Sequence, residues 1–385
     1  MVYFRSDNII SSLGYNTEEN FNSMANNKIG IVDIDDCNIY PDTFPASMID
    51  ENRLNKEFEG IPEVYAKHGS YTKLEKMLIS SIHDALGKTD IDITSSRTGI
   101  LLSTTKGNIG LLAKDNDTAI ERDRVLLWKL GDEIQNFFGN PNKVVVISNA
   151  CISGVLAINI AAMYINAGMF DNVIVTGGDL VTRFVLSGFM SFLALSPSAC
   201  KPFDTNRDGL SLGEAAGTII LSKYPNREKQ NLIFKGGASA NDANHISGPS
   251  RDGEGSFIAI KKALAQANIK PEDIDHISAH GTATPYNDEM ESISIDRHNL
   301  LDAHVNSIKG YLGHTLGAAG LVETAILLEE MRQNTLLRSA GFEELGVSRS
   351  LNIVNHLTNT NIRNGLKLAS GFGGCNAALV ISKVE

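Results

Sequence analysis

Short apolar runs alternate with helical segments along most of the chain. In the first half, RTGILLSTT, KVVVISNA, NVIVTGG and GTIILSKY predict strands, and SGVLAINIAAMYINAG predicts a helix between the second and third of them. In the second half, strands are predicted for NLIFKGGASA, DIDHISAHG, HVNSI, LKLASG and NAALVISKV, with helices for FIAIKKALAQAN and LVETAILLEEMRQ. Continuous β-branched runs between helices are typical of mostly parallel sheets that helices cover on both faces.

A polar stretch with a proline, KYPNREKQN at residues 223–231, divides this pattern. We predict two α/β units there, residues 1–225 and 226–385, the first with extra helical insertions. A chain of 385 residues exceeds the usual size of a single core, which also favours two units.

Composition and charge narrow the classes of function. Hydrophobic residues make up 42% and charged residues 21%, as in a soluble globular protein, and no apolar run reaches the ~18 residues of a membrane span. The start shows no secretory signal, so we expect a cytoplasmic protein. A net charge of −11 disfavours nucleic acid binding, which needs a basic face. The cysteines lack CxxC spacing and are expected to be free thiols, namely Cys37, Cys151, Cys200 and Cys375.

Cys151 lies where a predicted strand passes into a predicted helix, in KVVVISNACISGVLAIN. The N–H groups and macrodipole of a helix N-terminus favour a thiolate, so we predict a lowered pKa for Cys151. The same N–H groups could stabilise an oxyanion. For this motif alone, a buried structural cysteine is the alternative.

Two histidines four residues apart, His276 and His280, occur in DHISAHGTATPYNDEMES. On a helix this spacing would suggest a metal site, but the local pattern is that of a strand, where four residues span ~13 Å. We therefore predict no metal site and a structural role for His276. His280 precedes Thr282 and Thr284, whose hydroxyls could bind a polar ligand.

A glycine-rich loop in VNSIKGYLGHTLGAAGLVETA carries Lys309 and His314. Its spacing matches neither a P-loop nor a dinucleotide-binding fingerprint. The small residues 317–320 would let the following helix pack closely against a neighbour. A solvated lysine and a core histidine remain the alternative for this loop alone. Near the C-terminus, LASGFGGCNAALVIS predicts two strands around a glycine turn, with Cys375 packed in the second strand.

Together these motifs resemble the elongating β-ketoacyl-acyl-carrier-protein synthases of the thiolase superfamily. The resemblance rests on SNACISG, HGTATPYND, KGYLGHTLGAAG and GFGGCN, with KPFDTNRDGLSLGEAAGTIIL and IISSLGYNTEENFNSMANNKIGI. It covers nearly the whole chain in the order of the family. It implies a thiolase-like α/β fold, in which two pseudo-twofold-related halves with mostly parallel five-stranded sheets form αβαβα layers around the site.

The resemblance also implies a role for each matching residue. Cys151 would be the acylated nucleophile, His280 and His314 would complete a Cys–His–His set, and Lys309 would stand beside the second histidine. The backbone N–H groups of Cys151 and Phe372 would form an oxyanion hole, and Phe372 would gate the acyl pocket. The other matches are Thr282 and Thr284, for the phosphopantetheine arm, and the acidic pair Asp288 and Glu291, which would hold Lys309 and the histidine loop.

The implied reaction is the decarboxylative Claisen condensation of a cysteine-bound acyl group with malonyl-acyl carrier protein, in fatty acid or polyketide and polyene biosynthesis. It needs no metal or cofactor, because two neutral imidazoles can donate N–H groups to an enolate. The expected partners are acyl carrier protein and a second subunit, in a homodimer or in a heterodimer with a related ketosynthase-like chain, but neither nucleic acid nor membrane. Candidate docking cations for the acidic carrier are Arg207, Lys67 and Arg124.

Two departures from the family favour a specialised pathway over general fatty acid elongation. The opening MVYFRSDNIISSLG lacks the usual apolar first strand, and Ser370 stands where a second aromatic residue is common.

Other interpretations fit the motifs less well. A thiolase-type acyltransferase would need a second catalytic cysteine before a glycine-rich stretch, whereas Cys375 follows GFGG. Priming synthases that use coenzyme A carry an asparagine in place of His314. A non-catalytic, chain-length-determining subunit typically lacks the cysteine at position 151. A binding protein without activity explains none of the coincident motifs.

Overall fold

The computed structural model describes residues 1–62, 69–113, 120–226, 230–242 and 248–384. The strands are Val2–Ile10 (β1), Val32–Ile34 (β2), Phe44–Ser47 (β3), Thr98–Ser103 (β4), Val145–Ile147 (β5), Asn172–Asp179 (β6), Leu212–Gly213 (β7), Ala215–Ser222 (β8), Leu232–Asn241 (β9), His276–Ser278 (β10), His304–Asn306 (β11), Thr335–Leu336 (β12), Asn352–Ile353 (β13), Thr358–Asn359 (β14), Asn364–Gly371 (β15) and Cys375–Lys383 (β16). The helices are Thr17–Ala25 (α1), Glu51–Glu59 (α2), Lys73–Gly87 (α3), Leu127–Phe138 (α4), Ser153–Asn166 (α5), Arg183–Ser191 (α6), Glu254–Ala267 (α7), Pro285–Asp296 (α8), Lys309–Leu312 (α9) and Ala319–Gln333 (α10).

The large sheet has eleven strands in the order β13-β11-β10-β15-β16-β9-β1-β8-β6-β4-β5. In the first half, β6, β4 and β5 are parallel while β8 and β1 are antiparallel to their neighbours. The second half repeats this scheme with β15, β10 and β11 parallel and β16 and β9 antiparallel. Because β1 and β6 are both antiparallel to β8, and β9 and β15 are both antiparallel to β16, only β8 in the first half of this sheet and β16 in the second run against the other strands. The prediction of mostly parallel sheets is therefore confirmed. The strands β8 and β16 read as continuous apolar runs because both their faces are buried, whatever their direction.

Helices cover both faces of each half of this sheet. In β6, Val173 and Val175 point into a core shared with α5, α10 and strands of the second half, whereas Ile174 points into a core with α3 and α4. The outer face of the second half packs against α7 and α8. The layers therefore follow the predicted αβαβα order, with α5 and α10 in the middle. The boundary predicted at residues 225–226 falls between β8 and β9 and stays a prediction.

The first strand is present despite its polar composition. Ser6 and Asp7 are buried in β1, where the Ser6 hydroxyl donates to the Ala85 carbonyl (2.7 Å) and Arg332 donates to Asp7 Oδ2 (2.6 Å). Buried polar groups need such partners. Because both partners lie far away in sequence, the local pattern could not show them. Within the described ranges, no helix has the length and apolar character needed to cross a bilayer.

The central helices α5 and α10 cross at two glycines. A Cβ atom at Gly154 would lie 2.8 Å from the Leu321 nitrogen, and one at Gly320 would lie 2.4 Å from the Val155 nitrogen. Such close approach of two backbones admits only glycine, as the small residues of the sequence predicted. The crossing brings the N-terminal ends of both helices together, and with them the segments that carry Cys151 and His314.

Candidate active site

Three side chains from three different segments converge in the middle of the molecule. Cys151 precedes α5, His280 follows β10, and His314 follows α9. The Cys151 sulfur and one ring nitrogen of each histidine lie within 4.8 Å of one another. The imidazole rings meet edge to face, with centroids 5.2 Å apart. All three side chains are buried.

The pKa of Cys151 differs from the sequence prediction. Burial raises the pKa of this thiol to about 12, and Lys309 and Lys106 oppose the shift only in part. The position at a helix N-terminus is as predicted, but desolvation of a thiolate outweighs it, so the predicted lowering is wrong. In the resting chain Cys151 is therefore a neutral thiol.

The ring of His314 is oriented by its own loop. Its backbone pairs with the strand β7 segment, through His314 N–H to Ser211 O (2.7 Å) and Gly213 N–H to His314 O (3.1 Å). The Leu316 N–H donates to His314 Nδ1 (3.2 Å), so the ring proton belongs on Nε2. That Nε2 is buried and has no hydrogen-bond partner among the described residues, which leaves it as a donor for a ligand. Burial and then Lys309 hold the pKa of His314 well below its usual value, so the ring is neutral.

The backbone around His280 is held by two buried carboxylates. Glu291 accepts the N–H groups of His280 (2.6 Å) and Gly281 (2.8 Å), and Asp288 accepts that of Thr282 (2.9 Å). Asp288 and Glu291 thus lie where they can hold the histidine loop. Lys309 pairs with Glu323 instead, which corrects the prediction that Asp288 and Glu291 also hold Lys309.

Lys309 is fixed by Glu323, a residue that the sequence analysis missed. The Lys309 ammonium forms a short ion pair with Glu323 and donates to His280 O (2.5 Å) and toward His280 Nδ1 (3.3 Å). A donor at Nδ1 places the ring proton of His280 on Nε2. Burial and the Lys309 charge hold the pKa of His280 well below its usual value. Both imidazoles are therefore neutral Nε2–H donors.

A cavity of about 310 Å³ opens onto these groups. Thr282 and Thr284 line it, and their hydroxyl oxygens lie 2.9 Å apart. Three aromatic rings form another part of its wall, where Phe372 packs against Phe189 (5.7 Å between centroids) and Phe192 (5.3 Å). The cavity thus offers hydroxyls at one part of its wall and an apolar lining at another.

The backbone of the GFGG turn lies against Cys151. A Cβ atom at Gly371 would lie 3.0 Å from the Cys151 nitrogen. This contact brings the Gly371–Phe372 segment to the N-terminal end of α5, as an oxyanion hole would require. The two N–H groups of Cys151 and Phe372 remain the predicted donors.

The three residues predicted to dock the carrier protein differ in their surroundings. Arg124 pairs with Glu75 (2.7 Å) and Glu133 (3.0 Å), and only 11% of its side chain is exposed, which argues against carrier docking. Arg207 donates to the carbonyls of Asp204 (2.9 Å) and Gly346 (2.6 Å), and its docking role stays a prediction. Lys67 lies outside the described residues.

His276 has the structural role that the sequence predicts. It is fully buried in β10, with Nδ1 2.9 Å from the His304 carbonyl and Nε2 3.1 Å from Glu330. Its ring therefore points away from the Cys–His–His set. Cys151, His280 and His314 are also residue types that bind zinc in proteins. Nδ1 of both histidine rings already has a hydrogen-bond partner, so the Nε2 atoms are the ring nitrogens that remain for any ligand.

Two further residues near the site escaped the sequence analysis. Asp179 ends β6 and accepts the N–H groups of Thr105 (2.9 Å) and Gly317 (2.7 Å), which ties the turn before α10 to the first half. Lys367 is a buried lysine in β15 that contacts Glu323. The available signal was a charged residue within an otherwise apolar run, such as Lys367 in LKLASG.

Comparison with known proteins covers nearly the whole chain. Residues 9–226 match the beta-ketoacyl synthase N-terminal domain, and residues 232–343 match the beta-ketoacyl synthase C-terminal domain. A 3-oxoacyl-[acyl-carrier-protein] synthase 2 of Vibrio harveyi is 26% identical over 98% of this chain and 97% of its own length. The enzyme of the same name from Rhizobium meliloti is 33% identical over 65% of this chain and 62% of its own. A ketosynthase solved in complex with its chain length factor, from Xenorhabdus doucetiae, superimposes with a TM-score of 0.87 at 23% identity, covering 100% of this chain and 98% of that one.

Proposed function

The chain belongs to the β-ketoacyl synthase family of condensing acyltransferases, and we propose that Cys151, His280 and His314 carry out its decarboxylative condensation. The observation that supports this assignment is the buried Nε2 of His314, which has no hydrogen-bond partner within the described part of the chain and belongs to a ring close to the Cys151 sulfur. Two neutral imidazoles, each with one ring nitrogen near the same thiol, match a reaction that builds negative charge on a carbonyl oxygen.

In the first half-reaction, the Cys151 sulfur attacks the carbonyl carbon of an acyl thioester on the carrier protein. The carbonyl oxygen takes up charge, which the N–H groups of Cys151 and Phe372 stabilise. The carrier sulfur leaves and takes the thiol proton, so an acyl-Cys151 thioester and a free carrier thiol result. Because the thiol proton ends on the carrier sulfur, this covalent step starts from a neutral thiol and leaves no net charge on Cys151.

In the second half-reaction, a malonyl thioester on the carrier loses CO₂. The electron pair of the broken bond forms an enolate, whose oxygen accepts hydrogen bonds from His280 Nε2–H and His314 Nε2–H. The enolate carbon attacks the Cys151 thioester, which yields the 3-oxoacyl thioester and returns Cys151 as a thiol after uptake of one proton. We propose that no metal or cofactor takes part, because imidazole donors supply the stabilisation.

We propose acyl carrier protein as the carrier of both substrates. Thr282 and Thr284 would bind its phosphopantetheine arm along the cavity wall, and the rings of Phe189, Phe192 and Phe372 would contact the acyl chain. Because Ser370, which lines the cavity, stands where a second aromatic residue is common in the family, we propose a specialised acyl substrate rather than the ordinary saturated series.

We also propose that a second ketosynthase-like subunit completes the molecule. Strand β5 forms one end of the large sheet, and Val145 in it is 37% exposed. An open edge of this kind can pair with the same strand of another chain. The ketosynthase from Xenorhabdus doucetiae is paired with a chain length factor, and a homodimer is the other arrangement. We place the chain in the cytoplasm, where its four free cysteines would remain reduced.

Turnover with defined carriers tests this function. The purified chain is mixed with malonyl-acyl carrier protein and acyl-carrier proteins of graded length and saturation, and the products are read by mass spectrometry. We expect 3-oxoacyl-carrier product with the wild type, and loss of at least ~10²-fold with His314→Ala, which removes one enolate donor. Equal product from wild type and His314→Ala would contradict the proposed role.

A further inference from the structure

Lys367 is a buried lysine that the condensation chemistry does not use. Its side chain is fully buried in β15, beside β10 in register with Ser278. Its Nζ lies 3.0 Å from Ser278 O, 3.1 Å from Ala279 O and 2.6 Å from Glu323 Oε2. The ammonium group donates hydrogen bonds to the two carbonyl oxygens and forms an ion pair with the carboxylate. Burial lowers the pKa of Lys367, and the Glu323 charge opposes that shift.

Glu323 joins this ammonium to that of Lys309. One carboxylate oxygen contacts Lys367 and the other contacts Lys309, so a single anion lies between two buried cations. Lys309 in turn faces Nδ1 and the carbonyl of His280. A continuous chain of charged contacts therefore runs from Lys367 through Glu323 and Lys309 to the ring of His280.

The same contacts hold the backbone that carries His280. Lys367 donates hydrogen bonds to the carbonyls of Ser278 and Ala279, the two residues before His280, where the chain leaves β10. Glu291 accepts a hydrogen bond from the backbone N–H of His280. An unpaired buried charge is strongly unfavourable. A buried lysine is therefore stable at this position because these acceptors surround its ammonium group, and packing alone would not account for it.

We propose that Lys367 is a positioning residue, an internal cation in an oxygen-lined site behind His280 that fixes, through Glu323 and Lys309, the Nε2–H tautomer of the imidazole. The consequence for turnover rests on the proposed function, whereas the tautomer does not. The chemistry of the site is that of a small cation bound by two carbonyls and one carboxylate.

Chemical rescue tests the cation directly. Lys367→Ala leaves the three oxygens and a space for a small ammonium ion, whereas Lys367→Met fills the space without charge. We expect both to lose roughly 10- to 100-fold in condensation rate, as for other groups that orient a catalytic residue. Methylammonium chloride should restore Lys367→Ala saturably and leave Lys367→Met unchanged, with tetramethylammonium chloride as the ionic-strength control. Lys383→Met, on the neighbouring strand β16, should behave as wild type.

Wild-type rates in Lys367→Met, or equal recovery of Lys367→Ala with either salt, would overturn the proposal. A readout independent of turnover is the ¹⁵N spectrum of the full chain labelled at its nine histidines, with His280 assigned by its loss in His280→Asn. We expect the Nε2–H tautomer in the wild type, a tautomer mixture in Lys367→Met, and return of Nε2–H in Lys367→Ala with methylammonium. An unchanged tautomer in both variants would also overturn it. If the wild type showed no condensation, the proposed function would be wrong, whereas the His280 tautomer measured by ¹⁵N would still test the role of Lys367.

Discussion

At the scale of single residues, the site combines neutral donors with buried charges behind them. The two imidazoles stay neutral because burial and Lys309 disfavour their protonation. Cys151 stays protonated because burial disfavours its thiolate. The charges of Lys309, Lys367 and Glu323 are paired with one another. The reacting groups are thus uncharged before the thioester binds. The paired charges of the two lysines and the glutamate lie behind these groups.

The low pKa of His314 predicts a pH-dependent contribution to stability. The folded pKa lies below the unfolded value of ~6.5, so the neutral ring stabilises the fold fully above pH ~6.5 and progressively less as the pH falls toward the folded pKa. We expect the difference in unfolding free energy between wild type and His314→Asn to shrink by about 1.4 kcal/mol per pH unit below 6.5. Urea unfolding at pH 7.5 and 5.5 measures it. Burial raises the pKa of Glu291 to about 7, an opposite effect that both proteins share. A difference that does not change with pH would contradict the assignment.

The shared carboxylate gives a second prediction. Glu323→Gln leaves the ammonium groups of Lys309 and Lys367 close together without their anion, so we expect a loss of about 3–5 kcal/mol in unfolding free energy. Glu329→Gln, in the same helix, removes a partly exposed pair with Arg332 and should lose less than ~1 kcal/mol. Denaturant unfolding compares the two. Equal losses would show that Glu323 is not the anchor of the network.

What the sequence could predict at this scale depends on how local the signal is. Cys151, His280 and His314 each lie in a short motif, and the structure brings the three together. Glu323 and Lys367 are charged residues within largely apolar stretches, which is a local signal of burial, but their partners come from other segments and no local pattern identifies those partners. The direction of the Cys151 pKa shift was missed for a related reason, since burial depends on the whole fold.

At the scale of elements, the glycine crossing of α5 and α10 sets the site. Gly154→Ala would place a Cβ 2.8 Å from the Leu321 nitrogen, and the helices must separate to accept it. We expect a loss of about 1–3 kcal/mol in unfolding free energy and a fall in turnover, because Cys151 and His314 move apart with their helices. Gly87→Ala, at the end of α3 with no atom of the described residues within 4 Å of the added Cβ, is the matched control.

Thermal unfolding and condensation assays on both glycine variants provide the measurement. A Gly154→Ala protein as stable and active as Gly87→Ala would contradict the role of the crossing. The small residues near α10 let the sequence predict this close packing, whereas the reversed direction of β8 and β16 within mostly parallel halves could not be predicted. Two-sided burial gives β8 and β16 the same apolar pattern that a parallel strand would have.

At the scale of the whole molecule, the open edge of β5 is the proposed contact with a second subunit. A lysine in an edge strand opposes pairing with another strand, so Val145→Lys should shift the assembly toward the 41.6 kDa chain. Val32→Lys, at the exposed strand β2, should leave it unchanged. Light scattering during gel filtration measures the mass. A Val145→Lys protein with wild-type assembly would place the contact elsewhere.

The central claim, that Cys151 carries the acyl group, is tested most directly by intact-mass analysis after incubation with acyl-carrier proteins of graded length. We predict a mass increase equal to the acyl group on the wild type and on Cys375→Ala, and none on Cys151→Ala. The same adduct on Cys151→Ala would contradict the account.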